Sequence, residues 1–261
     1  MSVASKARGS VAALQALTHF ATHPREMVHF ATHRREMRKM MDVYREKFVP
    51  YEVPVVDFRE LLEPGQRRSS LQLDFEPDVY GDVSWRALVV LSSLVAHYKP
   101  KRLFEIGTFM GKTTMHLAAN SPPDAKVYTL DLPQENFEEI KKNLATYDES
   151  LLVDGRKPVG FHYRRSPWAN KIEQLFANSM SFDESKYAEQ MDFVFVDADH
   201  YYPSVVNDTR KAMAMLSRKP GSMVLWHDLR PKTDVERGII DVVGKQGVFK
   251  IEDTMLGIYR V

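Results

Sequence analysis

From residue 102 onward the chain alternates without interruption between short apolar runs and amphipathic stretches, and few architectures accommodate that order. Strands are expected at 102–107, 126–131, 160–165, 192–197 and 222–227, and helices at 111–120, 134–146, 169–177, 203–217 and 234–244. Such alternation builds βαβ units around a parallel sheet with helices on both faces. Two final runs, Val248 to Ile251 and Leu256 to Val261, are separated by Glu252-Asp253-Thr254 and read as a hairpin. The expected fold is a doubly wound, mostly parallel α/β sheet of seven strands, Rossmann-like, closed by an antiparallel C-terminal hairpin.

Upstream, Ser84 is placed to cap an apolar helix from Trp85 to Tyr98 that stops before Pro100. Residues 51–77 are rich in proline and charge and read as a connector. Before them lies a tandem repeat, His19-Phe-Ala-Thr-His23 followed by His29-Phe-Ala-Thr-His33. Its period of ten is too short for a solenoid. The i,i+4 histidine pairs share a helix face, but no acidic or cysteine ligand accompanies them. A duplicated helical segment, used in assembly or to cover a cleft, is the expected reading. The chain is therefore divided into a helical arm with its connector (1–77) and a catalytic domain (78–261).

Composition removes several classes of function. The balance of 36 basic against 35 acidic residues offers no electrostatic footprint for nucleic acid or an anionic membrane. No cysteine is present, which excludes disulfides and thiolate chemistry. The apolar stretches are strand-sized rather than membrane-sized. A cytoplasmic protein is expected, acting on a small molecule and assembling with itself through the arm.

The first strand ends Glu105-Ile-Gly107 and turns through Thr108, Phe109 and Met110 to Gly111-Lys112-Thr113. A phosphate-cradling P-loop needs four residues between its glycines, and here there are three. A dinucleotide turn needs a middle glycine that is missing, and Glu105 opposes a phosphate. A ligand with positive charge, a ribose and no phosphate suits the turn better, and S-adenosylmethionine has those features. Asp131, at the end of the second strand, is placed to bind a ribose diol.

Chemistry gathers at two more strand ends. The fourth strand runs into Asp197-Ala-Asp199-His200-Tyr201-Tyr202, and the fifth ends Trp226-His227-Asp228. In an open α/β sheet the carboxyl edge is where ligands bind. Asp197, His227 and Asp228 offer oxygen and imidazole donors to a divalent ion such as magnesium or manganese. His200 is placed to act as a general base, with Asp199 beside it. Each also has a plainer reading: a helix cap for Asp197, a loop brace for Asp199 or His200, a hydrogen-bonded pair for His227 and Asp228. Their convergence favours joint function.

Together, Glu105-x-Gly107-x-x-x-Gly111, Asp131, Asp197-Ala-Asp199-His200-x-Tyr202 and Trp226-His227-Asp228 resemble a class I S-adenosylmethionine-dependent O-methyltransferase, from about Asp78 to the C-terminus. The likeness is nearest to the metal-dependent branch acting on small molecules and sugars. The resemblance implies that Glu105, Gly107 and the turn through Thr108 to Gly111 hold the methionine end, and that Asp131 binds the ribose. It further implies that Asn178 and Ser179, at the end of the helix after the third strand, lie against the adenine. Tyr80, Gly81 and Ser84 would meet the cofactor carboxylate. Asp197, His227 and Asp228 would hold the metal beside the cofactor, with His200 as base. His227 departs from the acidic or amide residue of those relatives and favours a softer ion than magnesium. An NAD-dependent oxidoreductase, a P-loop phosphotransferase and a non-catalytic cofactor-binding assembly protein are the rival readings. Tyr201, Tyr202, Trp226 and Trp168 are candidates to stack on an acceptor ring.

Overall fold

The structure is a computed structural model that describes Tyr44 and residues 49–62, 70–74, 81–133 and 158–261. The histidine repeat, Tyr80 and the helix expected at 134–146 lie outside these residues. Two compact units are distinguished: 1–52 with 230–232, and 53–229 with 233–261. Within the described part of the first, Lys232 and Glu52 form an ion pair. The second unit holds the sheet and begins upstream of residue 78.

Its strands are β1 (Val55–Val56), β2 (Arg102–Ile106), β3 (Lys126–Asp131), β4 (Ile172–Phe176), β5 (Phe193–Val196), β6 (Met223–Trp226), β7 (Phe249–Ile251) and β8 (Gly257–Arg260). They lie in the order β1-β7-β8-β6-β5-β2-β3-β4. All neighbours are parallel except β8, which runs antiparallel between β6 and β7. The expected hairpin is therefore present. One strand exceeds the expected seven, because Val55 and Val56 in the connector pair in parallel with Lys250 and Ile251.

The central strands β5 and β6 are buried along their whole length, which explains their unbroken apolar runs. Against them packs α1 (Trp85–Tyr98), capped by the Ser84 hydroxyl and ended by Lys99 in the left-handed region. Its Ala87, Leu88, Leu91, Leu94 and Val95 recur at helical spacing and enter the main core with Leu103, Phe193, Phe195 and Leu225. Among the described residues the other α-helices with both ends defined are α2 (Lys112–Asn120), α3 (Phe161–Arg164), α4 (Tyr202–Met215) and α5 (Asp234–Val243).

One region reverses expectation. The strand expected at 160–165 is the single-turn α3, and the helix expected at 169–177 is a short 3-10 turn followed by β4. Gly160, in the left-handed region, starts the α3 turn. The strand was hidden because β4 is an edge strand, partly exposed along its length, so Glu173 and Gln174 interrupt any apolar run.

Candidate active site

The site forms where β2 is flanked by β3 on one side and β5 on the other, the point at which chain direction across the sheet reverses. Gly107 follows β2 with φ at +97°, and a Cβ built there would stand 1.9 Å from the Asp197 carbonyl oxygen. No side chain fits. This contact sets the glycine turn directly against the end of β5. Gly111 begins α2 with φ at +77°, and a Cβ there would meet the Tyr163 ring at 2.6 Å.

Asp131 holds the turn from the other side. Its Oδ2 accepts the backbone N–H groups of Thr108 (2.9 Å) and Phe109 (2.7 Å), and its Oδ1 accepts that of Leu132 (2.7 Å). Burial raises its pKa, opposed by those amides. Its first task is thus to brace the loop, including Phe109, whose φ of +51° is unusual for a bulky residue.

Glu105 lies beneath the turn and is fully buried. Its Oε2 accepts the hydroxyls of Thr114 and Thr129. Burial, against the pull of those two hydroxyls and aided by Asp197 and Asp131, pushes its pKa up to about 8. At neutral pH it is mostly a neutral acid.

On the far side of the cleft, Asp197, His227 and Asp228 present donor atoms all within 4.8 Å of one another. His227 Nδ1 stands 3.3 Å from Asp197 Oδ1 and 3.0 Å from Asp228 Oδ2. Burial disfavours its cation, but the two carboxylates outweigh burial and push its pKa up to about 10. Burial likewise works against the Asp228 carboxylate, yet His227 and His200 hold it well below the usual range. His227 Nε2 is buried with no hydrogen-bond partner among the described residues. Two carboxylates with an imidazole fit a divalent ion, and the nitrogen favours manganese or a later first-row ion over magnesium. His200 Nε2 lies 3.0 Å from Asp228 Oδ2, so the carboxylate orients the ring.

Between these groups opens a cleft. Of the expected residues, Gly81, Gly107, Thr108, Asp197, His200 and Asp228 line it. Several others do not. Glu105 is interior, as described. Asp199, expected to be catalytic, instead accepts the Ser204 hydroxyl (2.6 Å) and the Tyr201 amide (3.3 Å), bracing the start of α4. Ser84 caps α1. Asn178 and Ser179 follow a strand rather than a helix. The Asn178 side chain accepts the Met180 amide, while the Ser179 carbonyl accepts from Asn207. They remain next to Asp131, whose carbonyl accepts the Ala177 amide. Trp226 is buried, its indole N–H donating to the Thr209 hydroxyl, so it does not stack on an acceptor. Tyr202 is engaged by Asp241 and Arg237. Among the lining residues not anticipated are Asp82, Phe109, Lys112 and Thr113. Lysine directly after the second glycine was the available signal, spent on excluding a P-loop.

The sheet order thus sets an aspartate-braced glycine turn at the switch point, with carboxylates across the cleft. Residues 104–229 match the family described as "Methyltransferase domain". Caffeoyl-CoA O-methyltransferase 2 of Petunia hybrida is 28% identical over 109 residues, 42% of this chain and 39% of that protein. A tRNA1(Val) (adenine(37)-N6)-methyltransferase of Bacteroides thetaiotaomicron is 23% identical over 165 residues, 62% of this chain and 56% of its own. The chain thus spans about two fifths to just over half the length of these relatives. The solved structure of the O-methyltransferase TomG from Streptomyces achromogenes with S-adenosylmethionine aligns with a TM-score of 0.46 at 18% identity, covering 69% of this chain and 81% of that one.

Proposed function

We propose that the protein transfers a methyl group from S-adenosylmethionine to a hydroxyl of a small molecule, with a divalent ion at Asp197, His227 and Asp228. The observation that carries this reading is the convergence of Asp197, His200 and Asp228 on the cleft bordered by the glycine turn. When bound, the ion lowers the pKa of an acceptor hydroxyl and orients it.

The remaining work falls to the protein. The Asp228 carboxylate, 3.0 Å from His200 Nε2, favours the tautomer with its proton on that nitrogen, so that the Nδ1 lone pair would take the acceptor's proton. Gly107, lacking a side chain, lets the donor approach the sheet end, and Asp131 keeps the turn in the shape that receives it. Because a cationic sulfonium becomes a neutral thioether, the reaction creates little new charge, and alignment of the two reactants supplies most of the rate.

The caffeoyl-CoA relative supports oxygen as the acceptor atom, and the tRNA relative supports nitrogen. Labelled methyl transfer to a panel of phenols and sugars, with and without chelator, separates them. Oxygen transfer that stops on chelation is the expected result. Transfer to nitrogen that survives chelation would replace it. His200→Ala is expected to lose turnover while keeping donor affinity; loss of both would reduce His200 to a structural part. Asn178 and Ser179 are assigned to the adenine, and Tyr80 and Gly81 to the donor carboxylate. Self-assembly through residues 1–77, cytoplasmic residence and indifference to nucleic acid and membranes complete the proposal. No helix among the described residues is long and apolar enough to cross a membrane.

A further inference from the structure

The register of the sheet sets three polar residues side by side: Glu105 on β2 pairs with Thr129 on β3, and Thr129 pairs with Gln174 on β4. Residues paired in this way share one face of the sheet. Their hydrogen bonds run as a chain with a fixed direction. Thr129 donates its hydroxyl to Glu105 Oε2 (2.6 Å), so the hydroxyl contact between Thr108 and Thr129 (2.7 Å) is donated by Thr108. Thr108 in turn accepts the Gln174 side-chain N–H (3.1 Å). That amide has one workable orientation, because its nitrogen also faces the carbonyl oxygens of Thr129 and Leu175, both at 3.1 Å, which an oxygen in its place would repel. Gln174 Oε1 is left to accept the Tyr163 hydroxyl (2.9 Å). The Tyr163 ring is held in turn by two glycines, since a Cβ on Gly111 or Gly160 would stand 2.6 or 2.3 Å from it.

An amide on a partly exposed edge strand can be satisfied by water, yet Gln174 turns inward to Thr108, a residue of the cleft wall. Asp131 holds the backbone of the glycine turn, and the chain holds its one hydroxyl side chain. Resting on the methyltransferase reading above, we propose that Gln174 and Tyr163 are positioning residues for methyl transfer, which act through Thr108 to keep the glycine turn in the shape that receives the donor. Neither is among the described residues that line the cleft. The direction of the chain matters as much as its contacts. A glutamate at position 174 would have the size of glutamine but present an oxygen where an N–H is required. Its carboxylate would draw the Thr108 hydroxyl away from Thr129 and stand against two carbonyl oxygens. Protonation would return one O–H donor and with it the original direction.

Calorimetry with S-adenosylhomocysteine tests the chain at about pH 8 and about pH 5, which favour the charged and the neutral form of a partly buried carboxyl. Affinities are taken relative to the wild type at the same pH. The neighbouring titratable groups, Glu105, Asp131 and Tyr163, are common to all the proteins compared, so the ratio removes their own response. Gln174→Glu should bind roughly tenfold more weakly at the higher pH and recover to within about threefold at the lower. Gln174→Met, which supplies no N–H, should be weakened by the same factor at both. A Gln174→Glu ratio that ignores pH, or wild-type affinity in Gln174→Met, overturns the proposal, because a side chain that merely fills space has no reason to answer to its proton. A wild-type protein that fails to bind S-adenosylhomocysteine overturns instead the methyltransferase reading beneath it. Should the variants at position 174 fail to fold, Tyr163→Phe keeps the ring between the glycines and deletes the first donor of the chain. It should weaken binding about threefold or more, and unchanged affinity would refute the chain.

Discussion

Glu105 combines two unusual properties, complete burial and a carboxyl whose pKa is pushed up to about 8 from an ordinary 4.5. The raised value means the folded protein holds a proton that the unfolded chain has released. Stability is therefore fully present below about pH 4.5 and declines as pH rises through about 8, by on the order of a few kcal/mol over that interval. Denaturant titrations between pH 6 and 9 are expected to record the decline from this group, and Glu105→Gln should flatten it. Gly107 makes a sharper demand. A methyl group there would overlap the Asp197 carbonyl and occupy a backbone conformation suited to glycine. Gly107→Ala is expected to cost roughly 2–4 kcal/mol, combining strain and overpacking, with a matching fall in melting temperature. Both residues stand in the primary sequence as parts of one motif. Their separate tasks were not legible there, because burial and the approach of a distant strand depend on the assembled sheet.

At the scale of elements, the glycine turn is a junction rather than a loop. Asp131 at the end of β3 grips it from one side. The α3 segment docks from another, through the Gly160 amide to the Phe109 carbonyl (2.9 Å) and the His162 amide to the Met110 carbonyl (2.9 Å). Asp131→Ala removes the acceptor for three backbone amides. It is expected to leave the sheet folded while weakening donor binding at least tenfold by calorimetry; unchanged affinity would show that the brace is dispensable. The alternating pattern revealed most of this framework, including the order of strand and helix on either side of the turn. It failed between residues 158 and 177, where a strand at the sheet's edge lacks a buried second face and a one-turn helix is too short to display a period. The carboxylates and histidines at the ends of β5 and β6 were legible because polar groups directly after apolar runs are easily seen. What each one bonds to was not: Asp199 turns to Ser204, while Asp197 turns to the cleft.

At the scale of the molecule, ligand and ion are expected to report on one structure. Donor at a hundred times its dissociation constant should raise stability by about 2.7 kcal/mol. Manganese should raise the melting temperature of the wild type, and Asp228→Asn should abolish that rise; an equal rise in both would move the ion elsewhere. The order of the sheet has a further consequence. β8 follows its neighbours in the chain yet lies between β6 and β7, and β1 reaches the other strands only through β7. Without β8 the sheet would therefore stand in two parts, with the β6 border unpaired beside His227 and Asp228, so the short Gly257–Arg260 segment is what joins them.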